Sequence, residues 1–516
     1  MKNPRNIFKT VLVGFAFLGL LQVAQTVFGV VPPPDGCYPG LTTAEGCGAL
    51  RFIDPAAQGN TGLGHAALFS NTTGNWNTGV GALALGYNNG DFNTAVGVAG
   101  LLHNTTGSDN TAVGMIALLN NDDGMDNTAV GSSALNSNNH GNSNTATGFS
   151  ALGSNTTGNF NTAAGSFALT LNSTASDNTA VGAGALENST GSANTALGSS
   201  ALLFNSTGSN NTAIGAGALS NNTTGERNNA MGQGALSSHM TGNFNNAVGA
   251  LALTSDTGGT GNNAFGDAAL AGNTTGLQNT AIGDNALPSN TIGNQNAAVG
   301  QGALSQNTTG SMNTAIGRFA LDSATTGNGN VALGKSAGTA VTTADNVIAI
   351  DTAGQNVSNS CFIGHIFGET SSGGVGVVVN SDGKLGTNAS SRRFKKEIKP
   401  MDKASEAILA LKPVTFRYKS DQNDTPQFGL VAEDVAEINP ALVACDKQGE
   451  IYTVRYDAVN AMLLNEFLKE HRTVQELKAI VAKQQKQIEA ITGGLQKVSA
   501  QLELNKAAPQ TVLNNH

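Results

Sequence analysis

The chain has 516 residues, of which 66 are Gly and only 12% are charged, with aromatics at 5% and a single Trp. That composition excludes a conventional enzyme core over the whole length. Apolar content of 39%, mostly small Ala and Val, excludes simple disorder, and the missing every-third-residue Gly excludes collagen. The net charge of −9 is unevenly distributed: 18 of the 26 Lys and Arg lie within 390–516 beside 16 acidic residues, whereas 37–389 holds 5 basic against 18 acidic residues. A long acidic segment offers no basic stripe for phosphates, so no nucleic-acid partner is expected.

In chain order, Lys2, Arg5 and Lys9 precede an uncharged stretch from Thr10 to Val31, with small Val27 and Gly29 suited to signal peptidase. Residues 1–29 are therefore expected to be a signal peptide that directs the protein to the bacterial exterior or cell surface. An uncleaved membrane anchor is the alternative; Gln22, Gln25 and Thr26 weaken it. With the signal removed, no stable membrane insertion is expected. Cys37 and Cys47 are close enough in sequence to pair within a cap or linker at 30–59. Cys361 and Cys445 have no obvious partner, and none of the four has metal-ligand spacing. No cofactor or metal is implied.

From Asn60 one phrase recurs, Asn-Thr-Ala-Val-Gly, then Ala-Leu, then Asn-Thr-Thr-Gly, as at Asn110-Thr-Ala-Val-Gly114 and Asn211-Thr-Ala-Ile-Gly215. The leading Asn returns every 17 or, occasionally, 16 residues. Seventeen residues are too few for a helix pair, and fixed Asn, Thr and Gly oppose helix while Thr-Ala-Val suits a short strand. The spacing predicts a mainly β protein, with a parallel β-solenoid or β-roll of about 18 coils over 60–350 and a rod of very roughly 80 Å. Within each coil we read Thr-Ala-Val as the strand, Gly as a corner, Ala-Leu as an inward step and Asn-Thr-Thr-Gly as the turn. The leading Asn is read as a stacked ladder that satisfies backbone groups from coil to coil. A strict ice-binding Thr lattice is disfavoured because Asn229, Asn246, Asn263 and Ala297 replace Thr at the second position. Calcium-binding nonapeptide repeats are excluded, since no Gly-Gly-x-Gly-x-Asp run occurs. The sequons at Asn71, Asn104, Asn155, Asn205 and Asn307 are turn phrases before they are glycan sites. Histidines 65, 103, 140 and 239 are scattered and read as surface residues. No carboxylate pair recurs at a fixed position to form a polysaccharide-cleaving cleft.

The repeat phrase, with Asn330-Val-Ala-Leu-Gly-Lys-Ser-Ala-Gly338 and Asp345-Asn-Val-Ile-Ala-Ile350, resembles the heads of trimeric autotransporter adhesins. That resemblance implies trimeric parallel β-rolls; the period here is longer, and the helical pattern of 457–504 is not expected to form the membrane-anchor barrel that ends those adhesins.

A β-rich connector is expected over 351–389, including Val375–Asn380 and the turn at Ser381-Asp-Gly383. Beyond it a small α+β domain is expected over 390–456. Its elements are a helix at Lys403–Leu411 behind the cap Asp402 and strands at Val414–Tyr418, Phe428–Ala432 and Ile451–Arg455. A long helix should follow from about Asp457 to 504, with a disordered tail at 505–516. Val474, Val481, Ile488, Leu495 and Leu502 are seven apart, with Leu477, Gln484, Ile491 and Val498 between them. This a/d seam predicts an intermolecular coiled coil, weakened in its second half by Gly493 and Gly494. The alternative is a single amphipathic helix docked on its own domain.

Ser390-Ser-Arg-Arg-Phe-Lys395, Gln427-Phe-Gly-Leu-Val-Ala-Glu-Asp-Val435, Asn439-Pro440 and Val454-Arg-Tyr-Asp457 together resemble the peptidase S74 family, the intramolecular chaperones of phage endosialidases and tail spikes. The resemblance covers about 390–490. It implies a domain that assists homotrimerisation of a β-rich fibre and then cuts itself off through a Ser-Lys dyad. On the family pattern Ser390 is the nucleophile, Lys395 the base and Arg393 the supporting cation; Ser391 stands where many members have Asp. A Ser hydroxyl attacks only when a base takes its proton, and Lys serves as that base only as the neutral amine. Arg392, Arg393 and Lys396 flank Lys395 and favour the neutral form. Attack on the adjacent carbonyl would break the chain once, as maturation and not turnover.

The sequence thus reads as an exported trimeric, adhesin-like fibre with a self-processing C-terminal chaperone. A non-cleaving adhesin that retains the domain as a trimerisation clamp is the alternative. A carbohydrate or other surface receptor is left open as a further partner.

Overall fold

The computed structural model describes residues 39–505 except 370, 420 and 422. The expected signal peptide, Cys37 with its pairing, and all but the first residue of the tail lie outside the described residues. Two units are present, Met1–Glu369 and Thr370–His516.

The first unit is a parallel β-solenoid. Its strands are three residues long and pair in register from Thr43–Glu45 to Cys361–Ile363, forming one 20-stranded sheet. Thr111 pairs with Thr128, Ala112 with Ala129 and Val113 with Val130, and the same pattern repeats coil after coil. The sheet extends past the expected 60–350 at both ends. There the phrase is lost and the spacing changes, so that Thr43 pairs with Thr61 and Ile348 with Cys361.

Most coils enclose a thin core of three apolar side chains, for example Ala112, Ala117 and Leu118, all fully buried. The strand's central Ala points inward because side chains alternate across a strand, and only a small side chain fits so narrow a coil. The Gly after the strand is required twice over. Gly131 sits at φ 136, and a Cβ there would lie 2.5 Å from the carbonyl oxygen of Gly148 in the next coil. The inward Leu also adopts left-handed backbone, with Leu118 at φ 50. That conformation costs about 1–2 kcal/mol, which full burial of a Leu, about 1.5–3 kcal/mol, offsets.

Two buried columns of Asn run the length of the coils. In the first, Asn110 Oδ1 accepts from the Asn127 backbone N–H at 3.0 Å and its Nδ2 donates to the Gly124 carbonyl at 2.8 Å. This is the ladder expected of the leading Asn. The second comes from the turn phrase: Asn121 Nδ2 donates to Asn104 Oδ1 at 2.6 Å and to the same Gly124 carbonyl at 2.8 Å. The turn Asn is thus core, and sequon residues Asn71, Asn104, Asn155, Asn205 and Asn307 are fully buried.

The second unit begins with an exposed hairpin, Val377–Val379 against Leu385–Thr387, followed by a 3-10 turn at Arg392–Phe394. A nine-residue 3-10 helix, Asp402–Ala410, occupies the expected helical position. The strands are shorter than expected. Val414–Phe416 pairs antiparallel with Gln427–Gly429, and Val443–Cys445 with Ile451–Val454. Two α-helices complete it, α1 (Ala432–Ile438) and α2 (Tyr456–Leu504), the latter 49 residues and about 74 Å long. Gly493 and Gly494 lie inside the unbroken α2. Among the described residues no helix is long and apolar enough to cross a membrane.

Candidate functional site

The residues singled out in the C-terminal unit cluster around a very small core of Val435, Leu442 and Val454, against which Leu411, Leu430, Val443, Val459 and Met462 pack. The motif residues are its fasteners. Asn439 Oδ1 accepts from the Ala441 N–H at 3.0 Å and caps the turn Pro440–Leu442. Arg455 donates from its backbone N–H to the Leu442 carbonyl at 2.8 Å and from Nη1 to the Ala441 carbonyl at 3.3 Å. The Tyr456 hydroxyl accepts from the Leu430 N–H at 3.0 Å, which anchors the end of the Gln427–Gly429 strand to the start of α2.

Ser390 lies on an extended segment held near the start of α2 by Asn388, whose Nδ2 donates to Asp457 Oδ2 at 3.0 Å. Ser391 opens the 3-10 turn, its carbonyl accepting from the Phe394 N–H at 3.0 Å, and Lys395 leaves the turn in extended conformation. The Arg393 guanidinium stacks over the Phe394 ring, 4.6 Å from its centroid. Ser390, Arg393 and Lys395 are all exposed, and among the described residues neither Ser390 Oγ nor Lys395 Nζ makes a hydrogen bond or ion pair. The turn brings the three onto one short exposed loop without joining nucleophile to base.

A Ser and a Lys do meet elsewhere in the unit, at a place the sequence reading missed. Ser405 is fully buried; its hydroxyl donates to Glu466 Oε1 and accepts from Asn465 Nδ2 at 2.7 Å, with Lys469 Nζ at 3.4 Å. Lys469 also donates to Glu466 Oε1 at 2.7 Å and pairs with Glu406 at 3.6 Å. The hydrogen bond from Glu466 holds the Lys469 ammonium above its usual range, and that from Lys469 holds the Glu466 carboxyl below its own. A lysine held charged cannot take a proton from serine, so this cluster docks the 402–410 helix on α2 and is not a catalytic dyad.

One further correction concerns His239. It is buried, not on the surface, and replaces Asn in the second column. Its Nδ1 faces Asp256 Oδ2 at 2.6 Å and its Nε2 faces the Gly242 carbonyl at 2.7 Å. The signal was its register, since it stands eleven residues after Asn228, as Asn121 does after Asn110. His65, His103 and His140 are exposed, as expected.

The apolar seam of α2 is open to solvent. Leu477, Val481, Ile488, Ile491, Leu495, Val498 and Leu502 are each more than half exposed. Phe428 is 82% exposed at the rim of a shallow apolar trough formed with Ile408, Leu411, Val414 and Val459.

Residues 390–444 match the Peptidase_S74 family model, described as the chaperone of endosialidase. No curated protein matches the chain.

Proposed function

We propose that the protein is an exported, adhesin-like homotrimeric fibre in which the β-solenoid is the shaft and the C-terminal unit is its intramolecular trimerisation chaperone. The observation that carries this reading is a chaperone-of-endosialidase module, placed directly after a solenoid, whose own core is too small for its apolar surface. Among the described residues, three buried apolar side chains serve a unit whose Phe428 and α2 seam stay exposed. A seam of this length is covered when three α2 helices associate as a coiled coil. Export would follow from the N-terminal signal.

Self-cleavage belongs to the same proposal. Ser390 would attack the neighbouring carbonyl once Lys395 has taken its proton, with Arg393 supporting the charge that develops on oxygen. In the single chain these groups lie on an exposed loop without mutual contact, so the dyad would be completed by packing against other copies. That arrangement would delay cutting until assembly is finished. The second reading, a retained clamp without cleavage, is favoured by Ser391 standing where many members of the family have Asp.

Light scattering on the purified full chain should give three times the chain mass. A denaturing gel should show loss of roughly a quarter of the 52.1 kDa chain. Ser390→Ala should remain intact and trimeric. Equal cutting of parent and variant removes Ser390 from the reaction, an uncut parent in a stable trimer selects the clamp, and a monomeric chain refutes the chaperone reading.

A further inference from the structure

The geometry points to the outer face of the solenoid's strand row as the surface on which further copies of this chain pack, with contact densest in the last three coils. Lateral association of the solenoid therefore starts at its C-terminal end. This rests on the trimeric reading above and adds which solenoid surface is used and in what order.

In every strand the central residue points inward, so its two neighbours share the outer face. The neighbour after it is apolar in every strand from Thr61–Leu63 to Cys361–Ile363 except Thr145–Thr147. Parallel in-register pairing sets these side chains in single file, as Val113 beside Val130 and Phe265 beside Ile282. Many remain well exposed, among them Phe265 and Ile316 at 43%. At about 4.8 Å per strand the stripe is about 90 Å long and, across two outward positions, about 10 Å wide. That is about 900 Å² of surface per copy, about half of it apolar because the other row is mostly Thr, against about 800 Å² per partner in a standard interface. An occupant must match this repeat over its whole length, and a second copy, carrying the same stripe at the same spacing, does so.

The other outward position sets the order. It is Thr in most coils, Asn at 229, 246 and 263, and Ala at 297; only then does it become Val331, Ile348 and Cys361. The last three strands thus carry two adjacent apolar rows, Val331–Ile348–Cys361 and Leu333–Ile350–Ile363, held side by side by the sheet register. Apolar area per coil roughly doubles there, and with it the drive to associate. These coils immediately precede the C-terminal unit in sequence.

Cys361 is exposed on this face and reports on it. In the full chain carrying Cys37→Ser, Cys47→Ser and Cys445→Ser, mild oxidation should convert most trimers to species containing a Cys361 disulfide-linked pair. Moving the thiol to the turn row, with Cys361→Ser and Thr325→Cys, should leave chains unlinked. Val331→Thr with Ile348→Thr places a residue native to that position in most coils, so the solenoid should persist. The pair should raise trimer dissociation by about tenfold over Val96→Thr with Val113→Thr. A trimer in which Cys361 stays unlinked, or in which both Thr pairs act alike, means that another partner covers the stripe or that order is absent; either overturns the inference while the trimeric reading stands. A monomeric parent overturns both.

Discussion

Replacing His239 and Asp256 singly and together tests whether the second Asn column carries the solenoid's internal polar accounting. Both side chains are fully buried, and each ring nitrogen of His239 faces an acceptor, Asp256 Oδ2 and the Gly242 carbonyl. The two contacts make this a buried, hydrogen-bonded His–Asp pair inside the coil. Asp256 Oδ1 accepts in turn from Asn273 Nδ2 at 2.7 Å, while Asn222 Oδ1 on the other side has no donor because His239 replaces the Asn that would supply one. His239→Asn alone strips Asp256 Oδ2 of its buried partner, at about 3–5 kcal/mol, whereas in Asp256→Asn the new amide can donate to Nδ1 while Nε2 still donates to the Gly242 carbonyl, so that change should cost less. The double variant rebuilds an Asn–Asn step like Asn104–Asn121 and gives Asn222 Oδ1 its donor, so it should be neutral or stabilising by about 1–4 kcal/mol. Hydrogen exchange over 228–279, normalised to 110–127, should accelerate by about two to three powers of ten in His239→Asn and by less in Asp256→Asn. It should return to or below the parent rate in the double. A His239→Asn variant as protected as the parent, or a double no better protected than His239→Asn, would refute the reasoning.

Three further outcomes follow from the same packing. Gly131→Ala, whose Cβ would meet the Gly148 carbonyl at φ 136, should destabilise its coils by more than about 2 kcal/mol. Gly217→Ala, at φ 67 with nothing within 4 Å, should cost only about 1 kcal/mol; thermal unfolding of the two separates backbone strain from collision. Ser189→Asn should stabilise by about 1 kcal/mol, seen as a higher unfolding midpoint, because it supplies the donor that Asn172 Oδ1 lacks and keeps an acceptor for Asn205 Nδ2. Docking of the 402–410 helix on α2 should depend on pH at both ends. Glu466 is lowered by its hydrogen bonds from Lys469 and then Ser405, so its contribution is full above its ordinary 4.5 and lost as pH falls through the folded value. Lys469 is raised by Glu466, so its contribution is full below its ordinary 10.5 and lost as pH climbs through the folded value. Exchange at 404–411 should show both limbs, and Glu466→Gln should remove the acid one.

The solenoid was legible because one small structural decision is written many times. Asn-Thr-Ala-Val-Gly can be only a short strand ending at a glycine corner, and repetition averages away the ambiguity of any single copy. The second Asn column was hidden by local chemistry, since Asn-Thr-Thr-Gly is a good turn whether its Asn faces water or core. His239 was misread for the same reason: its burial is a property of register, and composition alone is blind to register. The terminal coils at Thr43–Glu45 and Cys361–Ile363 were missed because pairing persists after the phrase decays, backbone hydrogen bonds being indifferent to side chains. In the C-terminal unit element order was legible, but the short strands and the Ser405–Glu466–Lys469 cluster depend on contacts some sixty residues apart that no local pattern encodes.

Near-identity of the coils creates the problem that a C-terminal chaperone would solve. Two copies laid stripe against stripe and displaced by one repeat lose the contacts of a single coil out of many, so the shaft by itself selects its register weakly. Each misaligned state is nearly as stable as the right one, and copies zippering from random points would be trapped in it. Two features break the degeneracy, and both lie toward the C-terminal end of the chain. The doubled apolar rows of 331–363 match only themselves, and α2 presents a seam whose Gln484 and paired Gly493 and Gly494 occur once. Nucleation there, before the long stripe can engage, would fix the register once and let every later coil inherit it. Deleting 456–505 should then yield solenoids that still fold as single chains but associate in mixed registers, with Cys361 cross-links falling toward the level of the Thr325→Cys control.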